Sequence, residues 1–95
     1  MTKRTVLYTT AYKKAIKRYD IATVQEVEHI IEQLANDKKL EPKYKDHKLQ
    51  GSMKDTRECH IKPDLLLIYQ KYEDNQNPPI LILKTINLGS HSDLF

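Results

Sequence analysis

The sequence predicts an α+β domain in the order β-α-α-β-β-β, a small antiparallel-rich sheet with two helices packed on one face. Three observations predict it. β-branched and aromatic residues crowd residues 4–9, apolar residues recur at helical spacing through residues 12–34, and from residue 54 onward alternating or continuous apolar runs are separated by turn residues. At 95 residues the chain holds one core, so residues 1–95 are expected to be a single domain. Helices grouped ahead of a meander cannot alternate as βαβ units, and the sheet face away from them is expected to be open to solvent or a ligand.

The first strand is Arg4-Thr5-Val6-Leu7-Tyr8-Thr9. Thr9 or Thr10 caps a helix over residues 11–19, with Tyr12, Ala15, Ile16 and Tyr19 on one stripe and lysines on the other. Thr23 and Glu26 have capping-box spacing and predict the start of a second helix, whose apolar face is Val24, Val27, Ile30, Ile31 and Leu34 and which ends near Asn36. Residues 37–53 keep no period, contain Pro42 and Gly51, and read as a long surface loop of the kind that often carries function. Residues 54–61 alternate, with Thr56, Glu58 and His60 on one side and Arg57, Cys59 and Ile61 on the other, which is a strand. Lys62-Pro63-Asp64 turns the chain, residues 65–72 form a buried central strand, 73–79 a second turn and 80–86 the last strand. The tail over residues 87–95 is polar apart from Leu88, Leu94 and Phe95.

Composition narrows the function. Hydrophobic content of 39% with only two Gly and four Pro excludes a disordered or collagen-like chain. No apolar run approaches the roughly 20 residues of a membrane span, and Met1-Thr2-Lys3-Arg4 precedes no signal-type stretch, so a cytoplasmic protein without membrane contact is expected. Net charge is only +3, but it is unevenly spread. Eight Lys and Arg against four Asp and Glu lie between Lys38 and Lys62, interleaved with histidines and a tyrosine, which points to a polyanionic partner. Residues 20–37 are acidic. The second basic set, Lys13, Lys14, Lys17 and Arg18, reads as a solvated helix face.

Three of the four histidines, His47, His60 and His91, lie where the basic loop, a strand and the tail can converge, whereas His29 sits on the acidic helix. His60 shares a strand face with Glu58, and Asp64 follows just past the turn. Imidazole beside carboxylate suits acid–base work near neutral pH, though a wet sheet face has the same composition. The single cysteine, Cys59, rules out an internal disulfide and alternates to the helix side as a small core residue. No H-E-x-x-H or Cys pair is present, so no metal ligands are expected from spacing, and no Gly-rich phosphate loop or nucleophile elbow occurs.

The runs Tyr44-Lys45-Asp46-His47-Lys48-Leu49-Gln50-Gly51, Arg57 through Tyr69, and Leu88-Gly89-Ser90-His91-Ser92-Asp93-Leu94-Phe95 together resemble the YafQ-like mRNA interferase toxins of the RelE/ParE superfamily. The resemblance implies a RelE-like fold and the toxin of a type II toxin–antitoxin system. It implies a metal-independent, ribosome-dependent endoribonuclease that uses no cofactor, in which the ribose 2′-OH attacks the adjacent phosphodiester. It implies a cognate antitoxin protein as partner, mRNA on the ribosome as substrate, and contact with operator DNA only through the antitoxin. By family position His47, His60, Asp64 and His91, with Glu58, map onto the catalytic set. Phe95 maps onto a C-terminal aromatic that the family uses at the site, and Lys45, Lys48 and Lys54, by their charge, and Asn87 are expected with it in substrate binding. Leu65 stands where many relatives have Trp, and Asn87 where many have Arg; Asn87 either leaves a cation position vacant or begins the turn before Gly89. The alternative on the same fold is a non-catalytic binder or co-repressor of the ParE kind, and a metal-dependent nuclease is a third class.

Overall fold

The computed structural model describes residues 3–49 and 55–95. β1 (Thr5–Tyr8), α1 (Thr10–Ile16) and α2 (Ile21–Ala35) lead to a 3₁₀ turn (Pro42–Tyr44) and then to β2 (His47–Lys48), β3 (Thr56–Lys62), β4 (Leu65–Asp74), β5 (Ile80–Gly89) and α3 (His91–Leu94). The strands form one sheet in the order β1-β5-β4-β3-β2. β1 runs parallel to β5 and the other neighbours are antiparallel, so the sheet is antiparallel-rich as expected. β4 lies in the middle because its run Leu65-Leu66-Leu67-Ile68-Tyr69 is buried throughout, which only a strand covered on both faces achieves.

The core lies between the helices and one sheet face. Tyr12 and Ala15 of α1 and Val27, Ile30, Ile31 and Leu34 of α2 meet Cys59, Ile61, Leu65, Leu67, Tyr69, Leu83 and Leu88. Each fully buried aliphatic side chain of this kind contributes roughly 1.5–3 kcal/mol relative to exposure. Thr9 serves both layers: its hydroxyl accepts from Tyr12 N at 3.2 Å as the α1 cap and donates to Ile86 O of β5 at 2.7 Å. At the far end of α2, Asp37 adopts φ 55° and its carboxylate takes Arg4 Nε at 2.7 Å and Lys71 Nζ at 2.9 Å, clamping the helix terminus to the start of β1 and to β4. Partial burial opposes its ionisation, but the two hydrogen bonds outweigh that and hold the carboxyl below its usual range.

Four expectations are corrected. α2 starts at Ile21, capped by Asp20, whose Oδ1 accepts from Thr23 N at 2.8 Å; Thr23 is therefore three residues inside the helix, not its cap, and its hydroxyl accepts from Lys62 Nζ at 3.1 Å. The 37–53 segment is not simply a loop, because it contains the 3₁₀ turn and β2. The polar tail folds as α3, and β5 runs on to Gly89. Finally, the sheet face away from the helices is not open throughout: Thr56, Glu58, Leu66 and Ile68 on that face are all buried.

The alternation in β3 holds. Glu58 pairs with Ile68 and His60 with Leu66, all facing away from the helices, while Cys59 opposite Leu67 enters the core. Burial, then the nearby Asp46 and Glu58 carboxylates, push the Cys59 thiol from its ordinary value of 9.0 up to about 12. A folded-state pKa above the unfolded one leaves its stability contribution intact below pH 9.0 and removes it as the pH rises towards 12. Cys59 is therefore expected to resist an aromatic disulfide reagent at pH 8 in the folded protein and to react at the rate of unfolding. Stopped-flow labelling at native and denaturing urea concentrations checks this, and rapid native-state labelling would contradict the burial.

Candidate active site

β3 supplies two of the converging side chains directly. Residues two apart in a strand face the same way, so Glu58 and His60 stand side by side, with His60 Nε2 3.3 Å from Glu58 Oε1. β2 places His47 directly opposite Glu58, and its Nε2 lies 3.7 Å from the same oxygen. The Glu58 side chain is only 7% exposed, so one buried carboxylate oxygen sits between two imidazoles. His91 at the start of α3 completes the row, with ring centres 6.2 Å apart for His47 and His60 and 5.8 Å for His60 and His91.

The loop that carries His47 is held from behind. Asp46 Oδ1 accepts from Tyr69 Oη at 2.5 Å and from Arg57 Nε at 3.2 Å, and Arg57 Nε also reaches Tyr69 Oη at 3.3 Å. Burial and then the Asp46 carboxylate push the Tyr69 hydroxyl far above its usual range, so it remains a donor. Lys45 takes a left-handed conformation at φ 47°, closing the 3₁₀ turn, and its carbonyl accepts from His47 Nδ1 at 2.6 Å. A carbonyl only accepts, so Nδ1 carries hydrogen and Nε2 is the atom turned to Glu58.

His91 is fixed in the same manner. Asp64 Oδ1, in the β3–β4 turn, accepts from His91 Nδ1 at 3.0 Å and from its backbone N at 3.2 Å. These two hydrogen bonds, the side-chain one first, hold the Asp64 carboxyl below its usual range. α3 starts in a capping box, with Ser90 and Asp93 exchanging side-chain to backbone bonds. A Cβ at Gly89 would stand 2.9 Å from Asp93 Cβ, so the turn from β5 into α3 requires glycine.

The structure thus brings together His47, Glu58, His60, Asp64 and His91. Lys45 borders the same region, whereas Lys48 pairs with Arg57 and so faces the opposite side of the sheet from His47. Lys54 lies outside the described residues. Asn87 is inside β5, opposite Ile68, and shares the face and row of Glu58; it does not begin a turn. Its Oδ1 accepts from Leu88 N at 2.8 Å. Phe95 is exposed at the end of α3. Leu65 packs into the helix-side core and therefore offers no stacking surface to a ligand. Asp46, Arg57 and Tyr69 carry no signal of this role in the sequence, since nothing local links positions 23 residues apart.

One ligand atom from each of His47, Glu58 and His60 lies within 4.8 Å of the others, a grouping that the sequence spacing did not predict. The donor types suit a transition-metal ion, and a backbone carbonyl holds the remaining N–H of His47 as it does for metal-bound imidazoles.

Residues 4–95 match the family described as the bacterial toxin of type II toxin–antitoxin system, YafQ. The chain belongs to the YafQ toxin family. It is 33% identical over 98 residues to the mRNA interferase toxin YafQ of Escherichia coli K12, covering 100% of this chain and 99% of that one. A metal-bound toxin from Helicobacter pylori superposes with a TM-score of 0.79 at 38% identity, over 97% of this chain and 99% of that one. YafQ in the E. coli DinJ–YafQ complex gives a TM-score of 0.77 at 28% identity, over 98% and 99%. Among the described residues no helix is long and apolar enough to cross a membrane.

Removing the hydroxyl in Tyr69→Phe leaves Asp46 and Arg57 short of a buried partner and is expected to cost about 1–3 kcal/mol of stability. Urea unfolding followed by circular dichroism measures it; an unchanged midpoint would show that the loop is held by something else.

Proposed function

We propose that this YafQ-family toxin cuts mRNA by intramolecular attack of a ribose 2′-OH on the neighbouring phosphodiester, with His91 as base and His60 as acid. The observation that carries the reading is a pair of carboxylate-backed imidazoles, His60 on Glu58 and His91 on Asp64, whose ring centres are 5.8 Å apart. At that separation the two rings are edge-to-face neighbours, so a single phosphodiester lying across them reaches both. Asp64 holds the Nδ1 hydrogen of His91, so its Nε2 lone pair is presented to the 2′-OH. As the 2′-O to phosphorus bond forms, that proton passes to His91. The bond from phosphorus to the 5′ oxygen breaks, and His60 returns a proton to the leaving oxygen while Glu58 balances its charge. The products are a 2′,3′-cyclic phosphate and a free 5′-OH. Lys45 adds positive charge where the phosphorane gathers negative charge.

The side chains reach out from a small surface, with His91 57% exposed, and so the protein alone aligns only part of the substrate. The ribosome supplies the remaining alignment by holding the message in a near-attack geometry. As the E. coli relative does with DinJ, this chain pairs with an antitoxin, and the basic stretch from Lys38 to Lys62 attracts an acidic segment of it.

His60→Ala and His91→Ala are each expected to lower single-turnover cleavage of ribosome-bound message by about 10²-fold or more without loss of fold. His29→Ala, at an exposed position of α2 where the ring pairs with Gln33, leaves it unchanged. A 2′-deoxy substitution at the cut nucleotide stops the reaction, and naked RNA is cut poorly. Cleavage of the deoxy substrate would remove the 2′-OH mechanism.

A second reading comes from the His47, Glu58 and His60 grouping, since a relative of this fold is described as metal-bound. An ion held there would supply Lewis-acid stabilisation of phosphate charge. The two readings differ in sign. If His60 works as an acid, added Zn²⁺ ties it up and slows cleavage while a chelator has no effect; if cleavage depends on the ion, the chelator abolishes it and a divalent metal restores it.

A further inference from the structure

Beside His60 and His91 a cleft of about 510 Å³ opens between α2, the 3₁₀ turn and the end of β3. Its walls bring together side chains of opposite character: Lys43, Lys45 and Lys62, the ring of Tyr44, and the carboxylate of Glu26 from the second turn of α2. The volume is that of a small-ligand site. It is also continuous with the two imidazoles that flank the scissile phosphate, so a polynucleotide held between them runs into it.

Tyr44 is packed against the core, which fixes its ring. The Lys43 ammonium stands over the ring, 5.1 Å from its centre, so that face is covered by a flexible side chain that an incoming base can displace. A fixed, reachable aromatic face beside lysines is a stacking platform for an unpaired base with cations for its phosphates. Glu26 is the discordant member. Among the described residues no hydrogen bond or ion pair engages its carboxylate, and on a surface that binds phosphates a negative charge weakens affinity unless it meets a donor. A ribonucleotide offers donors on its 2′-OH and on its base, and only those of the base differ from one nucleotide to the next.

We propose that this cleft binds a nucleotide flanking the scissile phosphate, stacking its base on Tyr44 and selecting through Glu26 a base with an exocyclic amine, guanine above all. Guanine presents N1–H and N2–H side by side, matching both carboxylate oxygens. Cytosine and adenine present one amino group, and uracil places its single N3–H between two carbonyls that repel a carboxylate. Glu26 is thus a specificity-determining residue for the reaction proposed above, on which this inference rests.

The experiment is single-turnover cleavage of ribosome-bound messages that differ only in the nucleotide on either side of the cut. The wild-type protein is expected to favour guanine over uracil roughly tenfold at one of those positions. Glu26→Gln, whose amide offers a donor as well as an acceptor, is expected to erase or reverse that preference, chiefly by slowing the guanine-flanked message. Tyr44→Phe keeps the ring and is expected to retain binding, whereas Tyr44→Ala raises the ribosome-complex concentration needed for half-maximal cleavage. A purely structural role for Glu26 would lower all rates together, and its variant would keep the base preference, which overturns the assignment of the cleft. A wild-type protein that cuts no RNA overturns the cleavage reading and the cleft with it; one that cuts RNA with no base preference overturns the cleft alone.

Discussion

The pleat of β3 is the constraint on which the remainder depends. Successive side chains of a strand must leave on opposite faces, so the same seven residues that bury Cys59 and Ile61 against the helices are obliged to deliver Glu58 and His60 to the other side. Core and chemistry are therefore coupled through one register. A slip of a single residue would expose the thiol and the isoleucine and drive a carboxylate and an imidazole into the core, a loss far larger than any one contact. The apolar run of β4 locks that register on one side, and β2 adds His47 on the other.

Around this strand the molecule places two of the three imidazoles by holding their Nδ1 atoms, while His60 leans on Glu58 through Nε2. Backbone oxygen holds His47 and a turn carboxylate holds His91. The supports lie on different elements, and each is itself anchored: Lys45 by the 3₁₀ turn and the Asp46, Arg57 and Tyr69 network beside it, Asp64 by the tight β3–β4 connection. Geometry of this kind leaves few rotamers to freeze on binding, which is what the proposed acid–base reaction asks of a domain with one small core.

What the sequence revealed and what it hid divide along the range of the interactions. Alternation in β3, the apolar run of β4 and the stripe of α2 are local patterns, and they appear where they were expected. The pairing of Glu58 with His60 is local too. Other features depend on residues distant in the chain. Asp20 and Thr23 are both good caps, and nothing within the helix itself chooses between them; in the fold Asp20 takes the cap and Thr23 meets Lys62. In sequence Lys48 and Lys45 are alike, yet the pairing of Lys48 with Arg57 turns it away. α3 is only four residues long, too short for periodicity, although Ser90 and Asp93 had the spacing of a capping box. The three-residue grouping around Glu58 needs β2 to pair with β3, which no spacing rule contains.

Lys45 shows what such a surface asks of its own backbone. At φ 47° a glycine would rest more comfortably, since a side chain there carries roughly 1–2 kcal/mol of strain. Selection for heat resistance alone would accordingly favour Lys45→Gly, and the carbonyl that holds His47 would survive the exchange. What vanishes is an ammonium at the mouth of the cleft. The position is one at which durability and toxicity pull in opposite directions, so a laboratory lineage bred only to endure heat would drift towards a sturdier and more harmless protein.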